Sequence, residues 1–269
     1  MSTRDLQASV HRRFGDPAEV AAYSAIAEQG LTPFESALVR RAFAPGERVL
    51  DVGSGAGREA IPMAKDGLRV VAMDLIPAMV QAAVRNGAAH RTPLPAVVGT
   101  ATALPFHEGA FDGVAMLGQV IAYIPDRAGR LAALRAAWRV LRPGGRLAMT
   151  THNRRCHWRL RLYFAWVNRW RRLARRAGWD AGLGDYDRWT IRESCSGSRH
   201  PVFFHMCDLE EVITDLRHAG FQVLEAKARG ELEAGRDDPA LRAQDYFLGF
   251  IARRPPGSGP SGEPAKGNS

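Results

Sequence analysis

The sequence predicts an α/β protein: a mostly parallel sheet carrying helices on both of its faces. Three observations predict it. Short apolar strands alternate with helices across about a hundred residues, which implies parallel strands joined by right-handed crossovers. The first of those strands runs straight into Val49-Leu-Asp-Val-Gly-Ser-Gly-Ala-Gly57, a turn with glycine at alternate positions. And Asp74 and Thr100 stand at the ends of the next two strands, at the carboxyl edge where such sheets bind ligands.

The elements follow in order. Two helices are expected within 16–44, opened by Pro17 and Pro33, and Ala44-Pro45-Gly46-Glu47 is a turn. The first strand is Arg48–Val52. Arg58–Lys65 reads as a helix that tolerates Pro62 because its first turn lacks amide partners in any case. The second strand is Arg69–Met73, then a helix at Pro77–Asn86 and a third strand at Ala96–Val98. Phe111–Leu117 is the fourth strand and Arg127–Leu141 a helix stopped by Pro143-Gly144-Gly145. A fifth strand is expected at Arg146–Thr151. Residues 152–204 break the alternation. Asp208–His218 is a helix capped by Asp208 and ended by Gly220. Phe221–Ala226 and Tyr246–Ala252 are strands with no evident crossover helix between them, so they are expected to pair antiparallel. Residues 1–253 are read as one domain with N-terminal helices in 1–45 and an insertion at 152–204. Residues 254–269, rich in Pro, Gly and Ser, are read as a disordered tail.

Composition bounds the function. The 269 residues carry 46% apolar and 24% charged side chains and a formal charge of +9. That is an ordinary globular balance with a basic excess suited to an acidic partner, or set by an arginine-rich genome. No apolar core follows the polar Ser2–Gln7, and the best apolar run, Val114–Ile124, is too short to span a bilayer. Three cysteines without a CxxC pair argue against a disulfide framework, and a cytoplasmic location is the expectation, with peripheral membrane contact left open. Cys195, His200, His205 and Cys207 match no zinc spacing, so no metal is expected.

The glycine turn has a physical purpose. Gly53, Gly55 and Gly57 permit positive φ and leave no Cβ between the backbone and a ligand, while amides at the following helix start face it. Asp51 adds a carboxylate, which argues for a ligand with positive charge rather than a bare phosphate. The alternate spacing also departs from the Gly-x-Gly-x-x-Gly of dinucleotide sites. Asp74 suits the two hydroxyls of a ribose, or a helix cap.

The ordered set formed by residues 49–57, Met73-Asp-Leu75, Gly99-Thr-Ala-Thr-Ala-Leu-Pro-Phe106, Phe111-Asp-Gly-Val114 and Leu141-Arg-Pro-Gly-Gly145 resembles class I S-adenosylmethionine-dependent methyltransferases. These are of the kind acting on small molecules, quinones or lipids. The resemblance covers about residues 34–151 and the closing strand pair. It implies a Rossmann-like sheet of seven strands, the last antiparallel, and S-adenosyl-L-methionine as cofactor. By the same resemblance, Asp51 with Gly53, Gly55 and Gly57 would hold the methionine end, Asp74 the ribose and Leu75 the adenine face. Ala101 would offer its amide to the adenine, and Leu117, Gly118 and Gln119 would line the channel to the sulfonium. Thr100 departs from the aspartate such proteins often carry there. Methyl transfer needs alignment more than side-chain chemistry, so no catalytic residue is assigned; His152 and Tyr23 are site candidates that read equally as structural.

The acceptor is expected to be small or lipid-like and to enter under the insertion. Between 154 and 176 stand nine arginines interleaved with five aromatics. On a helical wheel Leu160, Leu162, Tyr163, Trp166, Val167, Trp170, Leu173 and Ala174 share one face. Arg161, Asn168, Arg169, Arg171, Arg172, Arg175 and Arg176 share the other, with Arg159 the exception. Three readings stay open: a cap packing its apolar face over the site, a membrane-surface helix through 158–176, or a contact for nucleic acid, with tRNA methylation as the alternative function.

Overall fold

The computed structural model describes residues 3–179, 183–193 and 199–257. The chain begins with α1 (Thr3–Phe14) and α2 (Pro17–Ile26), the latter capped by Asp16, whose carboxylate accepts the Ala18 amide at 2.8 Å. Helix α3 (Pro33–Ala42) opens on a capping box: the Thr32 hydroxyl accepts from the Glu35 amide at 3.2 Å, and Glu35 accepts from the Thr32 amide at 2.9 Å. The alternating region then supplies β1 (Arg48–Val52), α4 (Ala60–Lys65), β2 (Arg69–Asp74), α5 (Pro77–Ala89), β3 (Ala96–Val98), β4 (Phe111–Met116), α6 (Arg127–Val140) and β5 (Leu141–His152). Past it lie α7 (Trp158–Arg176), β6 (Asp187–Glu193), β7 (Arg199–His205), α8 (Leu209–His218), β8 (Gln222–Ala228), α9 (Arg229–Ala234), α10 (Pro239–Gln244) and β9 (Phe247–Arg253).

The main sheet has seven strands in the order β3-β2-β1-β4-β5-β9-β8. Strands β1 to β5 are parallel, and β9 runs antiparallel to both β5 and β8. The chain winds outward from β1 to β3 and then returns to place β4 on the other side of β1. The carboxyl ends of β1 and β4 therefore flank the point where the winding reverses, the position at which open α/β sheets take ligands. Period-two alternation assigns the two cores. Leu50, Val114, Met116 and Met149 pack under α6 and α8, against Leu134, Trp138 and Leu216. Val49, Val70, Ala115 and Ile251 pack on the opposite face against Phe34, Leu38 and Met63 of α3 and α4.

Four features differ from the sequence expectations. Helix α1 was not foreseen: its buried positions include Ser9 and Arg13, polar residues that hide the apolar period. Strand β5 starts at Leu141, which still pairs with Phe111; the ladder resumes at Arg146 opposite Gly113, so Pro143-Gly144-Gly145 is an irregularity within the strand. Two short helices, α9 and α10, fill the gap before β9. Arg254, placed in the tail by composition, is buried, donating to the Leu141 carbonyl at 2.9 Å and to Glu108 at 2.7 Å with its guanidinium over Trp138. The rest of that expected tail, 258–269, lies outside the described residues.

The insertion is a side lobe that packs on the domain through β7 against α1 and through Phe164, Phe204 and Met206 against Ala122. Asn153 bridges to Cys207 and Arg154 donates its amide to the Cys207 carbonyl at 2.8 Å, so the excursion leaves and rejoins the domain in one place. Between those ends lie α7 and the β6–β7 hairpin, registered from Asp187 opposite His205 to Glu193 opposite Arg199.

Candidate active site

The glycine turn sits over the carboxyl end of β1 and is tied to β2, since the amides of Gly53 and Ser54 both donate to the Met73 carbonyl, at 2.7 and 3.0 Å. Gly53 is required twice over. Its φ is +74°, and a Cβ there would fall 2.4 Å from Val120 Cγ2. Asp74, at the end of β2, accepts the Gly55 amide at 2.9 Å through one carboxylate oxygen and the Ile76 amide at 2.9 Å through the other. The helix-cap and the ribose readings of Asp74 are thus compatible, because each oxygen keeps a second lone pair. After β4 the chain makes two successive left-handed residues, Gly118 at φ +61° and Gln119 at φ +61°. Glutamine in that region is strained, and the Gln119 amide is held by donation to the Thr150 hydroxyl at 3.3 Å.

These turns enclose a cavity of about 330 Å³, within the range of small-ligand sites. Its wall brings together Gly53, Gly55, Asp74, Leu75, Thr100, Ala101, Gly118 and Gln119. The Thr100 hydroxyl lies 3.0 Å from that of Thr102, so a neighbouring threonine shares the place where an aspartate was the expectation. Of the other sequence-derived residues, Gly57 and Leu117 do not line the cavity. Gly57 (φ +94°) fits between Ile61 and Ala83, and Leu117 is part of the core beneath α3 and α4. Asp51 stands behind the wall, because its strand parity is that of Val49 and turns it toward α3 and α4.

That position makes Asp51 one of a buried acidic group. Among the described residues its Oδ2 has no hydrogen-bond partner, and the buried Ser54 hydroxyl, three residues on, has none either. Burial, and after it the charge of Glu59, pushes the Asp51 carboxyl well above its ordinary range. Glu59, which does line the cavity, is pushed up to about 7 by burial. Asp74 is also raised, chiefly by burial. Arg58 is the compensating charge, yet it is shared: it donates to Glu35 at 2.8 and 2.9 Å as well as contacting Glu59. Burial alone would raise Glu35, but the Arg58 and Thr32 hydrogen bonds outweigh it and hold it below the usual range. A cavity backed by crowded, half-compensated carboxylates favours a cation. An ammonium and a sulfonium are what the methionine end of S-adenosylmethionine carries, so the residues present fit that cofactor. Sequence reading missed Glu59; its place eight residues after Asp51, in the turn that leads into α4, was the available signal.

The cover of the cavity comes from an unexpected quarter. Val10 and Phe14 of α1, and Tyr23 and Ile26 of α2, form its outer wall with Tyr123 and Ile124. Phe14 stands edge-on to Tyr23 and Tyr123, at 5.9 and 5.4 Å between ring centroids. Residues 152–204 contribute none of the described lining, which corrects the expectation that the acceptor enters beneath the insertion. Tyr23 is therefore a wall residue, whereas His152 is buried among Phe204, Tyr246 and Phe247, away from the cavity.

A larger hollow, about 840 Å³, opens between α8 and the insertion. Its charges are already spent on one another. His205 lies 2.6 Å from Asp187 and 2.7 Å from Glu211, Arg154 pairs with Asp208 at 2.6 Å and with Glu211, and Arg127 pairs with Asp215 at 2.7 Å. His205, Cys207 and Glu211 hold potential metal-ligand atoms within 4.8 Å of one another. Both ring nitrogens of His205 face carboxylates, however, and burial pushes the Cys207 thiol up to about 12. That is the chemistry of an ion-pair lock between hairpin and helix. Cys195 lies outside the described residues.

Comparison with known proteins places these features in context. Residues 49–145 match the family model described as a methyltransferase domain. An uncharacterized protein of Mycobacterium tuberculosis is 32% identical over 226 residues, covering 84% of this chain and 72% of that one. A demethylmenaquinone methyltransferase of Beutenbergia cavernae is 41% identical over 105 residues, 39% of this chain and 40% of its own. Among solved structures, an S-adenosylmethionine-dependent methyltransferase from Methanosarcina mazei superposes with a TM-score of 0.61 at 19% identity, covering 84% of this chain and 99% of that one. The CcbJ methyltransferase from Streptomyces caelestis gives a TM-score of 0.61 at 18% identity over 85% of this chain and 92% of its own.

Proposed function

This chain belongs to the class I S-adenosylmethionine-dependent methyltransferases, and from that premise we propose that it methylates a small, apolar, lipid-like acceptor held against the helices α1 and α2. The observation that carries the reading is the asymmetry of the cavity wall. The charged residues of the lining are Arg58, Glu59 and Asp74, while α1, α2 and the turn after β4 contribute Val10, Phe14, Tyr23, Ile26, Tyr123 and Ile124. An acceptor there loses water to aromatic and aliphatic surface, which favours a ring or a chain over a phosphate or a nucleotide. Relatives point the same way by name: a demethylmenaquinone methyltransferase, and a ubiquinone biosynthesis O-methyltransferase of Xanthomonas oryzae, 36% identical over 110 residues.

The residues divide the work as follows. Gly53 and Gly55 let the backbone approach the cofactor, and Asp74 takes its ribose hydroxyls. Asp51 and Glu59 would balance its positive end, Leu75 and Ala101 would border its adenine, and Thr100 would offer a hydroxyl where such proteins often carry an aspartate. Bound S-adenosylmethionine supplies an electrophilic methyl group already activated by the sulfonium charge. What remains for the protein is alignment and exclusion of water, which Phe14, Tyr23 and Tyr123 supply by closing the outer wall. Tyr23 brings a phenol to that wall from α2, and in this reading it is the residue that would meet an acceptor hydroxyl.

Nucleic acid is the weaker alternative. Several arginines of the basic segment are committed inside the protein: Arg154 and Arg155 to Asp208, Arg172 and Arg175 to Asp185, and Arg171 to backbone carbonyls. Transfer of labelled methyl from S-adenosylmethionine to phenols, reduced quinones and unfractionated tRNA discriminates the readings. The expected result is transfer to a phenol or quinol that Phe14→Ala abolishes. Transfer to tRNA with steep salt dependence would refute the proposal.

A further inference from the structure

Helix α7 is rotated from the mounting its amphipathic pattern leads one to expect, so that its largest apolar side chains face outward. Its inward face is Phe164, Asn168, Arg171 and Ala174, all buried. The polar members have partners inside the protein: Asn168 Oδ1 accepts the Tyr186 amide at 3.2 Å, and Arg171 donates to the carbonyls of Gly184 and Asp187 at 2.8 and 2.9 Å. Phe164 completes the seat in a small core with Ala122, Phe204 and Met206. The outward face is apolar. Trp158, Leu162, Trp166, Trp170 and Leu173 recur at steps of four, four, four and three, and Trp166 is 71% exposed, Leu162 60% and Trp170 53%. Trp179, just beyond the helix, is 69% exposed. The stripe runs for about 22 Å at 1.5 Å per residue.

We propose that this stripe docks on an anionic lipid bilayer, with α7 lying in the interface plane. Charge decides the occupant. No Asp or Glu occurs between residues 154 and 179. On the helical wheel Arg161 and Arg176 line one edge of the stripe, and Arg159 and Arg169 stand within it. Tryptophans at headgroup depth with arginines reaching out to lipid phosphates are the arrangement such helices use. Aromatic rings of this size left in water in one contiguous band are unusual for a protein without a partner. A second copy of this chain would set arginine edge against arginine edge. No described helix is long and apolar enough to cross a membrane, so the contact lies on the surface. The lobe also has a physical link to the reaction cavity: Phe164 shares its core with Tyr123, a cavity-wall residue. Docking therefore brings the cavity to the bilayer from which a lipid-like acceptor would come.

The assignment rests on α7 alone and is tested without cofactor or acceptor, so it stands or falls apart from the acceptor reading. The probes are vesicles of phosphatidylglycerol and phosphatidylcholine in equal parts, and of phosphatidylcholine alone. The expected result is salt-sensitive co-sedimentation with the first and a blue shift of tryptophan fluorescence, with little binding to the second. Trp166→Ser with Trp170→Ser should lower binding by roughly tenfold or more, since partitioning scales with buried apolar area. Arg161→Gln with Arg169→Gln and Arg176→Gln should lower it and flatten the salt dependence. All these side chains are exposed, and a cooperative thermal melt matching that of the wild type confirms folding; Leu162→Ser with Leu173→Ser serves if the tryptophan pair fails that check. Wild-type protein left in the supernatant, or undiminished binding by the tryptophan variant, overturns the proposal. So does a lipid-free dimer that the tryptophan changes dissolve, which would identify a second copy as the occupant. Binding of tRNA that those changes abolish, without vesicle binding, overturns it in favour of nucleic acid.

Discussion

Glu59 offers the sharpest test of the electrostatics proposed for the cofactor cavity. Its carboxyl is displaced from an ordinary 4.5 to about 7, with burial the largest cause. One pKa unit corresponds to about 1.4 kcal/mol, so the displacement is worth roughly 3 kcal/mol. The sign follows from proton counts. Between about pH 4.5 and 7 the folded protein keeps Glu59 protonated while the unfolded chain has released that proton. The unfolded state then binds fewer protons, and stability falls as pH rises across the window. Glu59→Gln removes the titration and retains the shape, and Arg58 keeps its two hydrogen bonds to Glu35. Urea unfolding of the cofactor-free protein should therefore show wild type and variant nearly equal close to pH 4.5. By pH 8 the variant should be the more stable, by up to roughly 3 kcal/mol. Asp51 titrates in the same direction, so the variant retains a residual slope. A cationic ligand reverses the preference, and S-adenosylmethionine binding near pH 6.5 should release protons from the wild type. Calorimetry in two buffers of different ionisation enthalpy measures that release. Parallel stability curves for wild type and variant from pH 5 to 8, with no proton release, would refute the reasoning.

Other outcomes follow from single contacts. Gly53→Ala combines a left-handed φ with a Cβ 2.4 Å from Val120; it should cost roughly 1–3 kcal/mol by denaturant unfolding and abolish cofactor binding by calorimetry. Asp74→Asn sets an amide group against the Gly55 amide that donates to Asp74 Oδ2 at 2.9 Å. With a charged acceptor of ribose hydroxyls lost as well, cofactor affinity should drop roughly tenfold to a hundredfold. Truncation after Arg253 removes the Arg254 guanidinium from the Leu141 carbonyl and Glu108 and should cost roughly 2–4 kcal/mol, whereas truncation after Gly257 should leave the melting temperature unchanged.

Legibility varied with how local the determining physics is. β1 and β3 appear at the residues expected, because apolar runs bounded by turn residues specify strands without reference to distant partners. Capped helices were equally readable: Asp208 does accept the Glu211 amide, at 2.9 Å, and Pro17 and Pro33 do open α2 and α3. The glycine turn, Asp74 and the Thr100 loop converge on one cavity, as the ordered strand ends foretold. The residues that escaped depend on tertiary pairing. Arg13 is buried where Glu19, six residues on, meets it at 3.0 Å, so from sequence α1 looks too polar to be a cover. Arg254 is part of the fold because Trp138 and Leu141, more than a hundred residues earlier, receive it. Asp51 was read as a wall residue because spacing cannot show strand parity against α3 and α4.

Helix α7 carries the same lesson further, since a helical period divides a helix into two faces without saying which one turns inward. Here the inner face is decided by backbone groups of the loop after α7. The carbonyls of Gly184 and Asp187 need donors in a place shielded from water, and Arg171 brings two from one guanidinium. Leucine at that position would be more apolar and worse, because it would leave both carbonyls unpaired. The orientation can be tested by two substitutions with opposite expectations. Arg171→Ala should destabilise the lobe by roughly 2–4 kcal/mol, read as earlier proteolytic cleavage of residues 154–207. Trp166→Ser, at a position 71% exposed, should leave the same cleavage within about 0.5 kcal/mol of wild type. Were the tryptophan face turned inward, losing Trp166 would open a cavity and cost roughly 3–5 kcal/mol, and Arg171→Ala would be almost silent. The two patterns cannot be confused, and the second would remove the exposed stripe on which membrane docking depends.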